Sequence, residues 1–152
     1  SDVCSSDLAE VLGPPPSDLT NTHGLWLYRA GWVFLYAGKM GPYQRVYAEL
    51  AKREGALDMF VFTHLRGLEA IRAGDTSLAE RLLMDSVRRR PTELHESLSG
   101  ASLLVREFWV RERVDVVVDY LESYAQVAGD DRWAQTTLES VLAGKLPDDG
   151  WL

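Results

Sequence analysis

The sequence predicts an all-α protein built from stacked antiparallel helix hairpins, in the manner of an α-solenoid fragment. From Gly24 to Ala143 apolar residues recur at helical spacing, and glycine, proline or a capping residue interrupts them about every fifteen residues. No segment alternates apolar and polar residues over the length of a strand. Helices of this length joined by short turns pack antiparallel. About seven helices are therefore expected.

The predicted helical domain covers residues 23–144, between a leader and a tail. Residues 9–22 contain Pro14–Pro16, which favours an extended path, so this segment is predicted to be a disordered leader or linker. Residues 145–152 are predicted to be a frayed tail. The fourth helix is capped by Asp75, or by Ser77 in a capping box with Glu80. The seven helices are predicted at 24–37, 42–55, 57–73, 77–90, 93–112, 114–128 and 131–143.

The first eight residues, SDVCSSDL, resemble an in-frame translation of a short-read sequencing adapter. We interpret them as a scar and exclude them from the fold prediction. The single cysteine, Cys4, lies in this segment. We therefore expect the native part to lack cysteine, and the natural chain to extend upstream as part of a longer protein.

The charge of the chain argues against nucleic acid as a partner. The formal net charge is −7, and without Asp2 and Asp7 it becomes −5. Phosphate binding needs clustered basic residues. The one basic run, Arg88–Arg90, precedes Pro91 at a predicted helix end, where cations favour the helix dipole. The most apolar run, Leu25–Ala37, contains Arg29 and is shorter than the ~20 residues of a membrane span, so no membrane insertion is expected.

Glycines and bulky residues repeat once at a spacing of 36 residues. Gly31 and Gly67 form one such pair, and the others are Gly38 with Gly74, Phe34 with Ala70, and Tyr47 with Leu83. This pattern resembles the tetratricopeptide repeat, a helix-hairpin family. The second unit carries the resemblance best, through Gly67, Ala70, Gly74, Ala79, Leu83 and Pro91.

The resemblance has a packing rationale and two departures. Gly67 and Ala79 are expected to let the two helices of a unit approach closely, with Leu83 filling the space between them. Pro91 cannot continue a helix and is expected to turn the chain to the next unit. Tyr43 stands where the family has a small residue, and the third unit, 97–128, lacks the glycines.

The resemblance implies a protein-protein interaction or scaffold module, since the first helices of such repeats line a concave groove. A groove mixing aromatic and arginine side chains suits a peptide with apolar anchors and a carboxylate. The alternative is that these aromatic residues pack in the core. The candidate partner-binding residues are Tyr28, Trp32, Tyr36, His64, Arg72, Arg106, Trp109 and Arg113.

The first predicted helix is apolar on all sides, which is typical of a helix that is buried all round. One side is expected to pack on the second helix. The other is expected to expose a patch near Trp26 and Trp32 through which the chain self-associates.

The sequence contains no catalytic motif, so we predict no enzyme activity, no metal and no cofactor. Nucleophile elbows, phosphate loops and His-Glu-x-x-His are missing, and His23, His64 and His95 do not have ligand spacing. Arg45, Glu49 and Arg53 form an i, i+4 ladder that is predicted to be solvated. The alternative function is an accessory all-α domain of an enzyme whose catalytic part lies upstream.

Overall fold

The computed structural model describes residues 5–91, 103–128 and 132–145, and over these residues it confirms the all-helical prediction. Seven of the eight helices correspond to the predicted ones, and the first helix, α1, was not predicted. The helix ends differ from the predicted ends by a few residues. Only the second half of the fifth predicted helix, 93–112, can be compared, because 93–102 lie outside the described residues. The helices are α1 Ser5–Leu12, α2 Gly24–Tyr36, α3 Met40–Ala51, α4 Ala56–Arg72, α5 Thr76–Arg88, α6 Leu103–Val110, α7 Val114–Ala128 and α8 Arg132–Leu142.

The chain divides into two compact units, Ser1–Leu65 and Arg66–Leu152, and the division falls inside α4. In the first unit α2 packs against both α1 and α3. Gly31 makes this packing close, because a Cβ at this position would lie 3.0 Å from Leu65 Cδ2 and 3.3 Å from Val46 Cγ1. The interior of this unit is mostly apolar, and its fully buried large side chains are Leu27, Phe34, Tyr43, Leu50 and Leu65.

The segment before α2 differs from the predicted disordered leader. Helix α1 starts at Ser5, inside the segment assigned to the adapter, and ends at Leu12 before Gly13, whose φ is +66°. The next residues lie against α3, since Arg53 donates to the Leu19 carbonyl oxygen at 2.9 Å. The side chain of Arg53 is only 15% exposed. The arginine ladder of α3 therefore holds the leader, where the sequence predicted a solvated face.

In the second unit α7 packs against α5, α6 and α8. A Cβ on Gly67 would lie 2.3 Å from Leu104 Cδ2, so this glycine lets α6 approach α4. The repeat pattern instead predicted that Gly67 lies in the contact between α4 and α5. Ala79 and Leu83 are both fully buried. Asp75 caps α5, with its carboxylate accepting from the Leu78 N–H at 3.1 Å, so the Ser77 alternative is not the one adopted.

Four helices of the described chain end in the same capping turn. In each, a residue at positive φ donates its N–H to the carbonyl three residues back at 2.9–3.2 Å. The next residue donates five residues back, at 2.8–3.0 Å. This is the Schellman arrangement, which satisfies carbonyls left open at a helix end. The positive-φ residues are Gly38 (72°), Gly74 (87°), Glu112 (61°) and Gly144 (83°), which follow α2, α4, α6 and α8.

Glu112 has the same place in the turn after α6 that Gly38 and Gly74 have in the turns after α2 and α4, so the capping turn forms there without glycine. A side chain makes the left-handed conformation unfavourable by about 1 kcal/mol or more. We therefore expect Glu112→Gly to raise the free energy of unfolding by about 1 kcal/mol, measured by urea denaturation. Gly74→Ala, the reverse change in the equivalent turn, should lower it by a similar amount. An unchanged or lower stability of Glu112→Gly would contradict this account of the turn.

Candidate functional site: an aromatic stripe on helix α2

Four residues of α2 form a partly accessible stripe. Leu25, Arg29, Trp32 and Tyr36 are spaced by four, three and four residues, which places them on one face of the helix. Arg29 is exposed and the other three are half-buried. The rings of Trp32 and Tyr36 meet edge to face, with centroids 5.9 Å apart. We call these four residues the α2 stripe.

The remaining surface of α2 is packed, and this packing holds the stripe in place. Leu27, Ala30, Val33 and Phe34 are all at most 5% exposed. The helix is also fixed at its start, where His23 Nδ1 accepts from the Leu25 N–H at 3.1 Å. A side chain on a helix packed in this way is preorganised, because the backbone loses little freedom when a partner binds. Trp32 and Tyr36 were predicted partner-binding residues, whereas Leu25 and Arg29 were not, although helical spacing places them on the same face.

Two of the predicted partner-binding residues are inside the protein. Tyr28 is 7% exposed and His64 is 3% exposed, so neither offers a surface to a partner. The His64 ring lies edge to face against Phe60, with centroids 4.8 Å apart. Burial lowers the pKa of His64 from 6.5 to about 3, because a charged imidazolium is poorly solvated there. The interpretation of these two residues as core residues, left open by the sequence, is the correct one.

The predicted partner-binding residues of the second compact unit, Arg66–Leu152, fall into two groups. Arg72 at the end of α4 and Arg106 on α6 are exposed, and Trp109 on α6 is half-buried. Arg113 lies beyond the end of α6, in the capping turn, where it contacts Asp115 at 3.1 Å and Glu80 at 3.4 Å. The hydrogen bond to Asp115 is the largest of the effects that raise the Arg113 pKa. Arg113 therefore links α5 to the start of α7, which is a structural role that the sequence did not predict.

The face of α2 near Trp26 and Trp32 is less open than predicted, since both side chains are half-buried and α1 packs against the helix. Self-association through this face remains a prediction. We expect light scattering at high protein concentration to show a dimer or larger species, and Trp32→Ala to reduce it. A monodisperse monomer at every concentration would contradict the prediction.

Further features of the described structure concern metal binding, pockets and membrane spans. No group of three or more His, Cys, Asp or Glu side chains in the described residues is arranged to hold a metal ion. A shallow depression of about 730 Å³ runs along α5, between Ser77 and Arg88. None of the helices in the described part of the chain has the length and apolar character needed to cross a bilayer.

The α2 stripe thus combines aromatic side chains, a cation and a rigid support. Its rings provide apolar area and its guanidinium provides hydrogen-bond donors for a carboxylate. Comparison of the chain with family models, with curated proteins and with solved structures gives no match.

Proposed function

We propose that this protein is an interaction module that binds a peptide segment of a partner protein along the α2 stripe. The half-exposed pair of Trp32 and Tyr36 beside the exposed Arg29 carries this proposal. Tryptophan, tyrosine and arginine are the side chains most often responsible for binding energy at protein interfaces. The complementary peptide has an apolar anchor for the two rings and an acidic residue for Arg29.

We further propose that the module belongs to a tetratricopeptide-like array and acts as a scaffold. Two observations support this. The pairs of Gly31 with Gly67 and Gly38 with Gly74 repeat at 36 residues. In addition, the same capping turn ends α2, α4 and α6. In an array of this kind each unit contacts its neighbours and presents its first helix to a ligand.

A peptide selection followed by a binding measurement tests the proposed function. Random twelve-residue peptides displayed on phage are selected against the full chain, and enriched peptides are resynthesised with a fluorescent label. We expect an apolar residue and an acidic residue to recur among them. Fluorescence anisotropy should then show at least a tenfold weaker Kd for Trp32→Ala, in line with the cost of about 1.4 kcal/mol or more for a central interface residue.

The matched control is Trp133→Ala, which removes a half-buried tryptophan from α8 and should leave the Kd unchanged. Arg29→Glu should weaken the binding of peptides that carry the acidic residue and leave a peptide with that residue replaced by alanine unaffected. If enriched peptides bind Trp32→Ala as tightly as the original chain, the α2 stripe is not the binding surface.

A further inference from the structure

The residues before α2 are held on α3 by hydrogen bonds from two arginines to main-chain carbonyl groups. Arg45 donates to the carbonyl oxygen of Pro15 at 3.2 Å and to that of Pro16. Arg53 donates to the carbonyl oxygen of Leu19 at 2.9 Å and to that of Thr20 at 3.2 Å. We call residues 14–20 the strap, and Arg45, Glu49 and Arg53 the α3 cradle. Each arginine thus binds two successive carbonyl groups of the strap.

The spacing of the two arginines matches the spacing of the carbonyl pairs. Arg45 and Arg53 are eight residues apart, which is about 12 Å along a helix that rises 1.5 Å per residue. The two carbonyl pairs are four residues apart, which is at most about 14 Å of extended chain. The strap therefore runs alongside α3 in the same chain direction, with a bend at Ser17 between the two carbonyl pairs.

Two strap side chains are buried, and they have the same four-residue spacing. Pro15 and Leu19 are buried, whereas Pro14, Pro16 and Ser17 between and beside them are exposed. Proline suits this position because it has no N–H to satisfy and already favours an extended backbone. The pattern that the cradle selects is therefore Pro-x-x-x-Leu in a non-helical chain.

The cradle itself is held in position by acidic side chains. Glu49 Oε2 lies 3.2 Å from Arg53 Nε, and Asp58 Oδ1 lies 3.7 Å from the Nη1 atom of Arg53. These contacts orient the guanidinium group so that its Nη2 atom points at the strap. Since guanidinium has five donors in a fixed plane, it can bind the carboxylates and the carbonyls together.

We propose that the α3 cradle is a recognition site for non-helical Pro-x-x-x-Leu segments, and that the strap is its resident intramolecular ligand. A segment of a partner protein with this pattern binds the cradle when the strap leaves it. The observed strap is the argument for this occupant, because all four polar contacts are made to main-chain carbonyl groups. Any non-helical chain presents such groups, and the two buried side chains then select the pattern. This site is separate from the α2 stripe.

The strap must compete with a partner segment for the cradle. The apparent affinity of a second ligand equals its affinity for the open site multiplied by the fraction of molecules in which the site is open. A tethered ligand has an effective concentration in the millimolar range, so the closed form is expected to predominate. Releasing the strap should therefore strengthen the binding of a free peptide.

The test uses a fluorescein-labelled peptide with the sequence of Gly13–Thr22, GPPPSDLTNT, and the full chain. In fluorescence anisotropy we expect the peptide to bind the Leu19→Ser variant at least tenfold more tightly than the original chain. Adding Arg45→Ala and Arg53→Ala to that variant should weaken binding at least tenfold. A control peptide with the proline and leucine anchors replaced, GPGPSDSTNT, should also bind at least tenfold more weakly.

Equal binding of the peptide to the original chain and to Leu19→Ser would overturn the proposal, as would equal binding of the control peptide. A second measurement covers the case in which Leu19→Ser does not fold. Titration of the ¹⁵N-labelled original chain with unlabelled peptide should shift the Nε–H signals of Arg45 and Arg53 together with the strap amides. Shifts confined to other residues, or no shifts at millimolar peptide, would also overturn it.

Discussion

Gly67→Ala is expected to lower the free energy of unfolding of the original chain by about 2 kcal/mol. In the Leu104→Ala variant, the same substitution is expected to raise it. The added Cβ would lie 2.3 Å from Leu104 Cδ2, far inside van der Waals contact. Leu104 is fully buried, so its side chain has little space to move. Overpacking of this kind costs about 1–3 kcal/mol, which exceeds the gain in helix propensity of about 1 kcal/mol.

The double-mutant cycle makes this prediction specific to one contact. Leu104→Ala alone should cost about 3 kcal/mol, as is usual for truncating a buried leucine. In that background the Gly67→Ala methyl group has space, and the better helix propensity of alanine should add about 1 kcal/mol. Urea denaturation of the four proteins measures the cycle. Gly41→Ala is the control, because no atom lies within 4 Å of its added Cβ, and it should be neutral or stabilising.

If Gly67→Ala changed the free energy of unfolding as little as Gly41→Ala, the inference that α4 and α6 pack closely at Gly67 would be contradicted. If it remained destabilising in the Leu104→Ala background, another neighbour of Gly67 would have to be responsible. The cycle therefore reports on the packing of the second unit without requiring knowledge of any partner.

Lowering the pH from 7 to 5 is expected to reduce the free energy of unfolding by about 2 kcal/mol because of His64. Its pKa falls from the ordinary value of 6.5 to about 3 on burial. Below pH 6.5 the unfolded chain therefore binds a proton that the folded chain does not. The stability contributed by neutral His64 is complete above pH 6.5, decreases as the pH falls, and stops decreasing near pH 3.

The control for this prediction is His64→Leu, which keeps a buried side chain of similar size and removes the titration. Its free energy of unfolding should change little between pH 7 and pH 5. The carboxylates of Asp18, Asp85 and Asp115 have lowered pKa values and lose their contribution at more acidic pH, so they do not obscure this interval. An equal pH dependence in the original chain and in His64→Leu would contradict the assignment.

The helices were predictable because their signals are local. Gly38 and Gly74 end α2 and α4 as predicted, and Asp75 was one of two proposed caps for α5. Such positions depend on backbone conformation and on hydrogen bonds within a few residues. The capping turn at Glu112 was missed for the same reason, since the sequence signal for a left-handed residue is glycine.

The candidate site was less predictable because it depends on contacts distant in sequence. Tyr28 and Trp32 are four residues apart on α2, but the first is buried and the second is half-buried. Which of two apolar faces stays accessible depends on the helices packed against it. Arg45 and Arg53 bind carbonyl groups about 30 residues earlier in the chain, and a ladder of arginines on a helix gives no indication of this.

The turn at Glu112 also bears on how proteins of this architecture diverge. Its hydrogen bonds are the same as those at Gly38 and Gly74, although its positive-φ residue is glutamate. A lineage can therefore lose these glycines one at a time, each at a cost of about 1 kcal/mol, while every helix still ends in the same geometry. The amino-acid sequence similarity of successive repeats then decreases faster than the similarity of their backbone dihedral angles. Ancestral duplications in such chains are better recognised by the dihedral angles of their turns than by their residues.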